Sequence, residues 1–242
     1  MEYPILPLER PLEEAKFVAR PNRFLAHVEL NGVVEKAHVH DPGRLRELLY
    51  PGNRVLVSRP SRGSANRKTS LDLLFAFYDG DWILVNSALH RPISQKILSL
   101  PELSPFGAVK AVVPEVRFGT GTRFDYLLEL DQGRSCYLEV KGCTLEDEVH
   151  RALFPDAPTL RGSRHLEELM EARSLGHEAA LLFLILRPKA RSFAPNAQCD
   201  PRFARLFWEC VQGGVRVFMK KIAFKKGWFV YTGDIHLEGG AP

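Results

Sequence analysis

The sequence predicts a mixed α/β protein built from two units, and three observations lead to that prediction. The chain has 242 residues, of which 45% are hydrophobic and 26% charged. That is the size and composition of one large or two ordinary globular domains. Residues 24–85 read as short strands separated by turns, whereas residues 87–242 alternate strands with helices. Because such alternation is typical of a mixed sheet covered by helices, we place a domain boundary at residue 86, giving domains 1–86 and 87–242.

The N-terminal unit has the strand order of a small barrel. Strands are predicted at residues 24–30, 33–39, 54–58, 71–78 and 82–85. Asn31-Gly32 is a strong hairpin signal, and Arg44–Leu49 reads as one or two helical turns between the second and third strands. About five short strands with one helical segment are typical of an OB-like β-barrel. Residues 1–19 read as an entry segment with one short amphipathic stretch.

The loop at residues 59–69 is basic. From Arg54 to Lys68 there are five basic residues and no acidic one. Barrels of the OB type often bind single strands through basic and aromatic side chains. The loop is therefore either a phosphate-contacting segment or a flexible solvated one, and the sequence leaves both interpretations open.

Composition argues against several classes of protein. No run of 18 apolar residues exists, so we expect no membrane span. The N-terminus has acids and prolines where a signal peptide has a basic region and an apolar run, so we expect a cytoplasmic protein. The four cysteines form no C-x-x-C pair, which argues against a disulfide framework or a zinc site. The net charge of +4 is compatible with a nucleic-acid partner but does not require one.

The stretch from Arg123 to Lys141 carries the strongest chemical signal. Two β-like runs flank a polar turn at residues 131–134. Since side chains alternate along a strand with period two, Glu139 and Lys141 share one face of the second run. Asp125 lies on the first run, and pairing of the runs could bring it close to both. Glu139 and Lys141 interrupt an apolar strand, where charges are costly unless they are paired or bound to a metal.

Two carboxylates and one ammonium at a sheet edge suit metal-dependent hydrolysis. Asp125 and Glu139 can hold Mg²⁺ or Mn²⁺ through oxygen, helped by the Val140 carbonyl. Such a cation polarises a phosphoryl group and lowers the pKa of a bound water, and Lys141 can orient that water or stabilise the developing charge. The Asp, gap, Glu-x-Lys arrangement is similar to the PD-(D/E)xK nuclease signature. The alternative interpretation is a solvated strand face with a surface ion pair.

Three further residues are candidates with open alternatives. Glu115 is either a third carboxylate for the metal or an exposed glutamate at a strand end. Arg161 and His165 lie four apart around the start of a helix predicted at residues 162–175. They either face the metal site, contacting phosphate or assisting proton transfer, or belong to a solvated helical face.

Five blocks of sequence carry a resemblance to a known family. They are RPNRF (20–24), AHVHDPGRL (37–45), RFDYLL (123–128), YLEVKGCTL (137–145) and FPDAPTLRGSRHLEEL (154–169). Over almost its whole length the chain resembles the sugar fermentation stimulation protein A family. The resemblance implies an N-terminal OB-like barrel, a C-terminal PD-(D/E)xK nuclease-like domain, DNA binding and a regulatory role in sugar (maltose) utilisation genes. It assigns Asp125, Glu139 and Lys141 to the nuclease-type core, with Glu115 and His165 as further candidates.

The leading hypothesis is a DNA-binding protein with a Mg²⁺- or Mn²⁺-dependent phosphodiesterase site. Its catalytic candidates are Asp125, Glu139, Lys141 and His165, and its metal-ligand candidates are Asp125, Glu139, Val140 and Glu115. Its nucleic-acid-binding candidates are Arg20, Asn22, Arg23, His38, Arg44, Arg123 and Arg161. The alternatives are a non-cleaving DNA-binding transcriptional regulator and an RNA-binding protein. Strand preference and oligomeric state stay open.

Overall fold

The computed structural model describes residues 2–60, 68–119, 121 and 123–239, which form three β-sheets and three α-helices. The strands are β1 (Tyr3–Pro7), β2 (Glu13–Asn22), β3 (Leu25–Leu30), β4 (Val33–Val39), β5 (Arg54–Ser58), β6 (Leu71–Tyr78), β7 (Asp81–Leu84), β8 (Ala111–Arg117), β9 (Arg123–Glu129), β10 (Ser135–Cys143), β11 (Leu145–Glu146), β12 (Arg151–Phe154), β13 (Glu178–Ile185), β14 (Ser192–Pro195), β15 (Arg216–Lys225), β16 (Trp228–Asp234) and β17 (His236–Leu237). The helices are α1 (His90–Ser99), α2 (Leu160–Ser174) and α3 (Pro201–Gln212).

Strands β2 to β6 close into a five-stranded barrel. They are ordered β4-β3-β2-β5-β6, and a parallel β4–β6 pairing joins the two ends. The interior is apolar, with Phe17, Val28 and Val57 fully or almost fully buried. The predicted barrel is therefore present, and β7 extends the sheet beyond β6.

Two local predictions in the barrel region were wrong. Residues 13–22 form the long strand β2 rather than an amphipathic entry segment, because Ala15 and Phe17 alternate inward between charged or exposed neighbours. Residues 44–49 form a turn rather than a helix, because Leu45 has a φ of 50°, which a helix cannot include. Of the basic loop at 59–69, residues 61–67 lie outside the described residues.

The C-terminal unit is built on a seven-stranded mixed sheet with the order β1-β16-β15-β13-β10-β9-β8. The central strands β10, β13 and β15 are parallel, and β13 is buried on both faces, as its unbroken apolar run predicts. β8 contains Pro114 and lies at the edge, where a proline is tolerated. β1 pairs with β16, so residues 3–7 lie in this sheet although they precede the barrel.

Apolar side chains cover both faces of the large sheet. On one face, α2 and α3 pack with the small sheet of β11, β12, β14 and β17. On the other face, α1 and the outer surface of the barrel share one core, in which Phe75 and Leu84 meet Ile93 and Leu138. The barrel is thus packed directly against the sheet that carries β9 and β10. Within the described ranges, no helix is long and apolar enough to cross a membrane.

Candidate active site

A large cavity of about 1320 Å³ lies where the barrel meets the sheet. The barrel contributes residues 20, 22–23 and 41–44 to its walls, the sheet contributes Asp125 and residues 139–142, and a third wall comes from residues 153–161. We call Asp125, Glu139, Lys141 and His165 the floor cluster. We call residues 20–24 and 41–45 the barrel rim.

Asp125 is fixed beside Glu139 by the end of a strand pairing. The antiparallel register of β9 and β10 runs as far as Tyr126 opposite Leu138. Beyond that pair, the Val140 N–H of β10 donates a hydrogen bond of 2.7 Å to Oδ2 of Asp125, the residue before Tyr126 on β9. The side chain of Asp125 thus accepts a backbone N–H of the neighbouring strand. Burial, together with the negative charge of Glu139, raises the pKa of Asp125 to about 6.

Glu139 is the most constrained charge of the floor cluster. Its side chain is 4% exposed, and Oε1 accepts hydrogen bonds from Lys141 Nζ at 2.5 Å and from His165 Nδ1. Burial alone would raise the pKa of this carboxyl, but Lys141 and His165 outweigh burial and hold the pKa below its usual range. Oε2 is buried and has no hydrogen-bond partner, which is a costly state for a carboxylate oxygen.

His165 reaches the floor cluster from α2. Thr159 caps this helix by accepting from the Gly162 N–H at 3.0 Å. The imidazole is 1% exposed, and Arg161 Nε donates to its Nε2 at 3.4 Å. An acceptor at Nε2 and a donor at Nδ1 together require the proton on Nδ1. The ring is buried and donates to Glu139, and its predicted part in phosphate contact or proton transfer stays a prediction.

The floor cluster fits a hard cation with few protein ligands. Among the described residues, no group of three or more His, Cys, Asp or Glu side chains is placed to hold a metal ion. Asp125 and Glu139 nevertheless offer two carboxylates, and Glu139 Oε2 lacks any partner. Mg²⁺ is commonly bound by one or two carboxylates while waters and substrate phosphates complete its shell. Two carboxylates beside an open cavity match that mode.

Glu115 is engaged elsewhere. It has a φ of 54° on the edge strand β8, and its carboxylate forms ion pairs with Arg91 and, at 3.5 Å, with Arg123. One oxygen faces each arginine, so this carboxylate is occupied rather than turned to the floor cluster. Arg91 lines the cavity whereas Arg123 is absent from its walls.

The predicted nucleic-acid contacts differ in where they lie and in how far their hydrogen bonds are used. Asn22, Arg23, Arg44 and Arg161 are exposed and line the cavity. Arg20 also lines it, but its guanidinium donates to four backbone carbonyls, at 2.7–2.8 Å. Those carbonyls belong to Arg23, Asp41, Gly43 and Arg44. Arg20 therefore organises the barrel rim, with only its Nε buried without a partner, and its predicted phosphate contact stays a prediction. His38 lines a smaller neighbouring cavity.

Asp156, which the sequence reasoning missed, joins the barrel rim to the C-terminal unit. Its Oδ2 accepts from the Arg44 N–H at 2.7 Å and the Leu45 N–H at 3.3 Å. A Cβ at Gly43 would lie 2.6 Å from the same oxygen, so a glycine is needed there. The FPDAP turn that contains Asp156 was the available signal.

Two residues of α1 were also missed. His90 and Arg91 both line the cavity. A Cβ at Gly142 would lie 2.1 Å from His90 Cε1, so the imidazole packs against the backbone next to Lys141. Burial lowers the pKa of His90 to about 4. No signal in the sequence pointed to these residues, because α1 was identified only by its apolar side.

Comparison with known proteins gives consistent results. Residues 18–85 match the family model described as the SfsA N-terminal OB domain, and residues 84–227 match that of the sugar fermentation stimulation protein RE domain. The sugar fermentation stimulation protein homolog of Methanococcoides burtonii is 42% identical over 230 residues, covering 93% of this chain and 91% of that protein. The homolog of Methanothermobacter thermautotrophicus is 42% identical over 216 residues, covering 89% and 88%.

One solved structure is similar over the whole chain. It is Pyrococcus furiosus SfsA in complex with Ca²⁺, with a TM-score of 0.87 and 28% identity, covering 98% of this chain and 99% of that one. With the family models, this similarity confirms the predicted fold class of an OB-like barrel followed by a nuclease-like α/β domain.

Proposed function

The chain belongs to the sugar fermentation stimulation protein family, and we propose that its cavity hydrolyses phosphodiester bonds of DNA with Mg²⁺ or Mn²⁺. The observation that carries the proposal is the buried, unpartnered Oε2 of Glu139 beside the carboxylate of Asp125. An unpaired carboxylate oxygen at the floor of an open cavity is stabilised by a cation. The Ca²⁺ complex of the Pyrococcus furiosus relative supports divalent binding, since Ca²⁺ and Mg²⁺ share a preference for oxygen ligands.

Each member of the floor cluster has a defined task in this proposal. Asp125 and Glu139 bind the cation, and a bound cation would polarise the phosphoryl group and acidify a water. Lys141, 14% exposed, is the cation of the cluster that reaches the cavity, where its ammonium orients the attacking water and stabilises phosphate charge. His165 holds Glu139 in place from α2. The Val140 carbonyl remains a proposed ligand.

The cavity walls favour a polyanionic substrate. Arg23 and Arg44 of the barrel and Arg161 of α2 are exposed and line it, and Arg91, which is paired with Glu115, adds a fourth guanidinium. Arginine recognises phosphate through a planar set of N–H donors. Because binding to phosphates releases counterions, DNA affinity is expected to fall steeply as salt rises.

Cleavage assays with matched variants test the proposal. Single-stranded and duplex DNA are incubated with Mg²⁺ or Mn²⁺ and wild-type, Lys141→Ala or Asp125→Asn protein. We expect each substitution to slow cleavage roughly 100- to 1000-fold, the usual cost of removing one preorganised electrostatic group. The controls are Lys110→Ala and Asp131→Asn, which disrupt an exposed ion pair of 3.5 Å outside the cavity walls and should cleave normally. Cleavage that survives both floor substitutions rules out this site.

A second candidate function is a DNA-binding regulator of sugar utilisation genes that does not cut. The observation in its favour is that Lys141 Nζ and His165 Nδ1 both donate to Glu139 Oε1, so this oxygen is held by the protein without a metal. If this function is correct, DNA affinity is the same with EDTA and with Mg²⁺. The Lys141→Ala protein then binds DNA normally, and neither the wild type nor any variant cleaves it. An RNA of equal length in the same assays tests whether RNA is the better substrate.

A further inference from the structure

Beside the large cavity, the barrel presents an aromatic surface that the proposed hydrolysis does not use. We propose that Phe24 and His38 stack against one unpaired base of the strand that enters the cavity. The inference rests on the proposed function and deepens it, because it names the substrate class as nucleic acid with a single-stranded segment next to the scissile phosphate.

Phe24 is exposed yet held in a fixed backbone. Its residue exposure is 53%. Its N–H donates to Asn22 Oδ1 at 2.9 Å, and its carbonyl accepts from the Val39 N–H at 3.0 Å. A single exposed apolar side chain is ordinary by itself. Here, however, the ring is presented from a rigid corner of the barrel, which lowers the entropy lost when a ligand binds to it.

Other rings extend this surface. The imidazole of His38 is parallel to Phe24 within 19°, with ring centroids 6.4 Å apart. His40 meets His38 edge-on at 4.2 Å, and its Nε2 lies 3.3 Å from Asp72 Oδ1. His38 and His40 also line the smaller cavity of about 330 Å³ with Lys68 and Thr69. The rings thus form a supported aromatic wall rather than isolated side chains.

Both segments that carry the aromatic wall, the one with Phe24 and the one with His38 and His40, continue directly into residues that line the large cavity. Arg23 immediately precedes Phe24, and Asp41 immediately follows His40, and both line the large cavity. Ser87, another lining residue, donates from Oγ to the His40 carbonyl at 2.5 Å. A strand bound at the floor cluster can therefore follow the barrel rim as far as Phe24 along a continuous surface.

The charges along this path select the occupant. Arg23 is exposed and immediately precedes Phe24, and the exposed Lys68 lines the smaller cavity with His38 and His40, so the surface offers aromatic faces next to cations, as in proteins that bind single strands by stacking and phosphate contacts. In a duplex, neighbouring base pairs cover the faces of each base. Apart from the outer face of a terminal pair, a duplex therefore offers no base face to Phe24, which points to a single strand or to a duplex with a single-stranded extension.

The test measures binding of full-length protein in Ca²⁺ and in EDTA by fluorescence anisotropy. The probes are a single-stranded DNA, a blunt duplex and an RNA of the same sequence. Phe24→Ala should weaken single-strand binding by roughly 5- to 150-fold, the loss expected for one stacked base, and blunt-duplex binding less than about twofold. Phe24→Trp should retain binding. The matched control is Tyr50→Ala, an aromatic of the same unit that is 47% exposed and lines neither cavity.

A base analogue locates the contact. With 2-aminopurine placed at successive positions of the single strand, wild-type protein should quench one position or two adjacent ones, and Phe24→Ala should not. If RNA binding depends on Phe24 in the same way, the stacking subsite is supported and only the identity of the bound polymer changes from DNA to RNA.

The failure of this inference is separable from the failure of the proposed function. If Phe24→Ala binds single strands as wild-type does while Lys141→Ala loses cleavage, stacking is overturned and hydrolysis stands. Preference for blunt duplex over single strand likewise overturns stacking alone. Absence of binding to every probe overturns both.

Discussion

The floor cluster and the barrel rim hold their charges in opposite ways. On the floor, Glu139 is almost fully buried and still keeps one oxygen without a partner. On the barrel rim, Arg20 donates to four carbonyls and Asp156 accepts two backbone N–H groups. Both regions line the same cavity, so proximity to the site does not distinguish a ligand-binding charge from a structural one.

The difference lies in the hydrogen bonds of the terminal atoms. Both terminal nitrogens of Arg20 donate and only its Nε lacks a partner, whereas a whole carboxylate oxygen of Glu139 lacks one. A charge that makes most of its hydrogen bonds within the protein stabilises the fold and has little left for a ligand. A buried group that lacks a partner costs free energy in the unliganded protein, and a ligand that supplies the partner recovers that cost. On this basis we propose the floor cluster as the binding element and the barrel rim as the frame that positions the exposed Arg23 and Arg44.

The largest effect in this comparison is expected from removing Arg20. Arg20→Ala leaves several carbonyls without donors, so the free energy of unfolding should fall by roughly 2–4 kcal/mol. Arg23→Ala, at the exposed neighbouring position, should change it by less than about 0.5 kcal/mol but reduce the salt dependence of DNA binding by about one phosphate contact. Urea denaturation measures the free energy of unfolding, and salt titrations of DNA binding measure the number of phosphate contacts. An Arg20→Ala protein of normal stability that has lost DNA affinity would show that Arg20 is a phosphate ligand after all.

A smaller effect is expected at the contact between the sheet and α1. Gly142→Ala places a Cβ against the His90 ring and should cost about 1–3 kcal/mol of stability by overpacking. His90→Ala removes the obstruction, so the double variant should be more stable than Gly142→Ala alone. Thermal unfolding of the wild type, the two single variants and the double variant gives the coupling free energy between residues 90 and 142. Additive losses would indicate that the backbone, and not the imidazole, excludes a side chain at residue 142.

The third effect depends on pH and concerns Asp125. Its pKa is about 6 in the folded protein against a usual value of 3.8. A raised carboxyl pKa destabilises the fold, with no cost below pH 4, a growing cost between pH 4 and 6, and the full cost above pH 6. Asp125→Asn keeps an acceptor for Val140 and should therefore be more stable than wild type above pH 6 in EDTA, by up to about 3 kcal/mol.

That stability difference should vanish near pH 4, and saturating Mn²⁺ should reduce it at pH 7.5 by stabilising only the wild type. Unfolding curves at pH 4.0, 5.5 and 7.5 measure both trends. Equal stability of the two proteins at pH 7.5 in EDTA would contradict a destabilised carboxylate at this position.

The sequence predicted the floor better than the rim, for a physical reason. The facing of Glu139 and Lys141 follows from strand periodicity, and the pairing of β9 with β10 follows from a short polar turn, so both are local. Three of the four acceptors of Arg20 lie on a loop 21–24 residues further along the chain. Asp156 reaches the same loop across more than 110 residues. Nothing in the basic block RPNRF distinguishes Arg20, which donates to four carbonyls, from the exposed Arg23.

Two other features were hidden from the sequence for the same reason. Glu115 could be read as a third carboxylate because its positive φ and its arginine partners appear only once β8, β9 and α1 are assembled. β2 was missed because the charged residues on its outer face hid a period-two pattern carried by Ala15 and Phe17 alone.

The most direct test of the central claim is a crystal structure with Mn²⁺, using anomalous scattering to locate the ion. We expect one ion bonded to carboxylate oxygens of both Asp125 and Glu139, including Oε2 of Glu139, at about 2.0–2.5 Å. Full occupancy of an ion elsewhere, or Glu139 Oε2 still without a partner at saturating Mn²⁺, would contradict it.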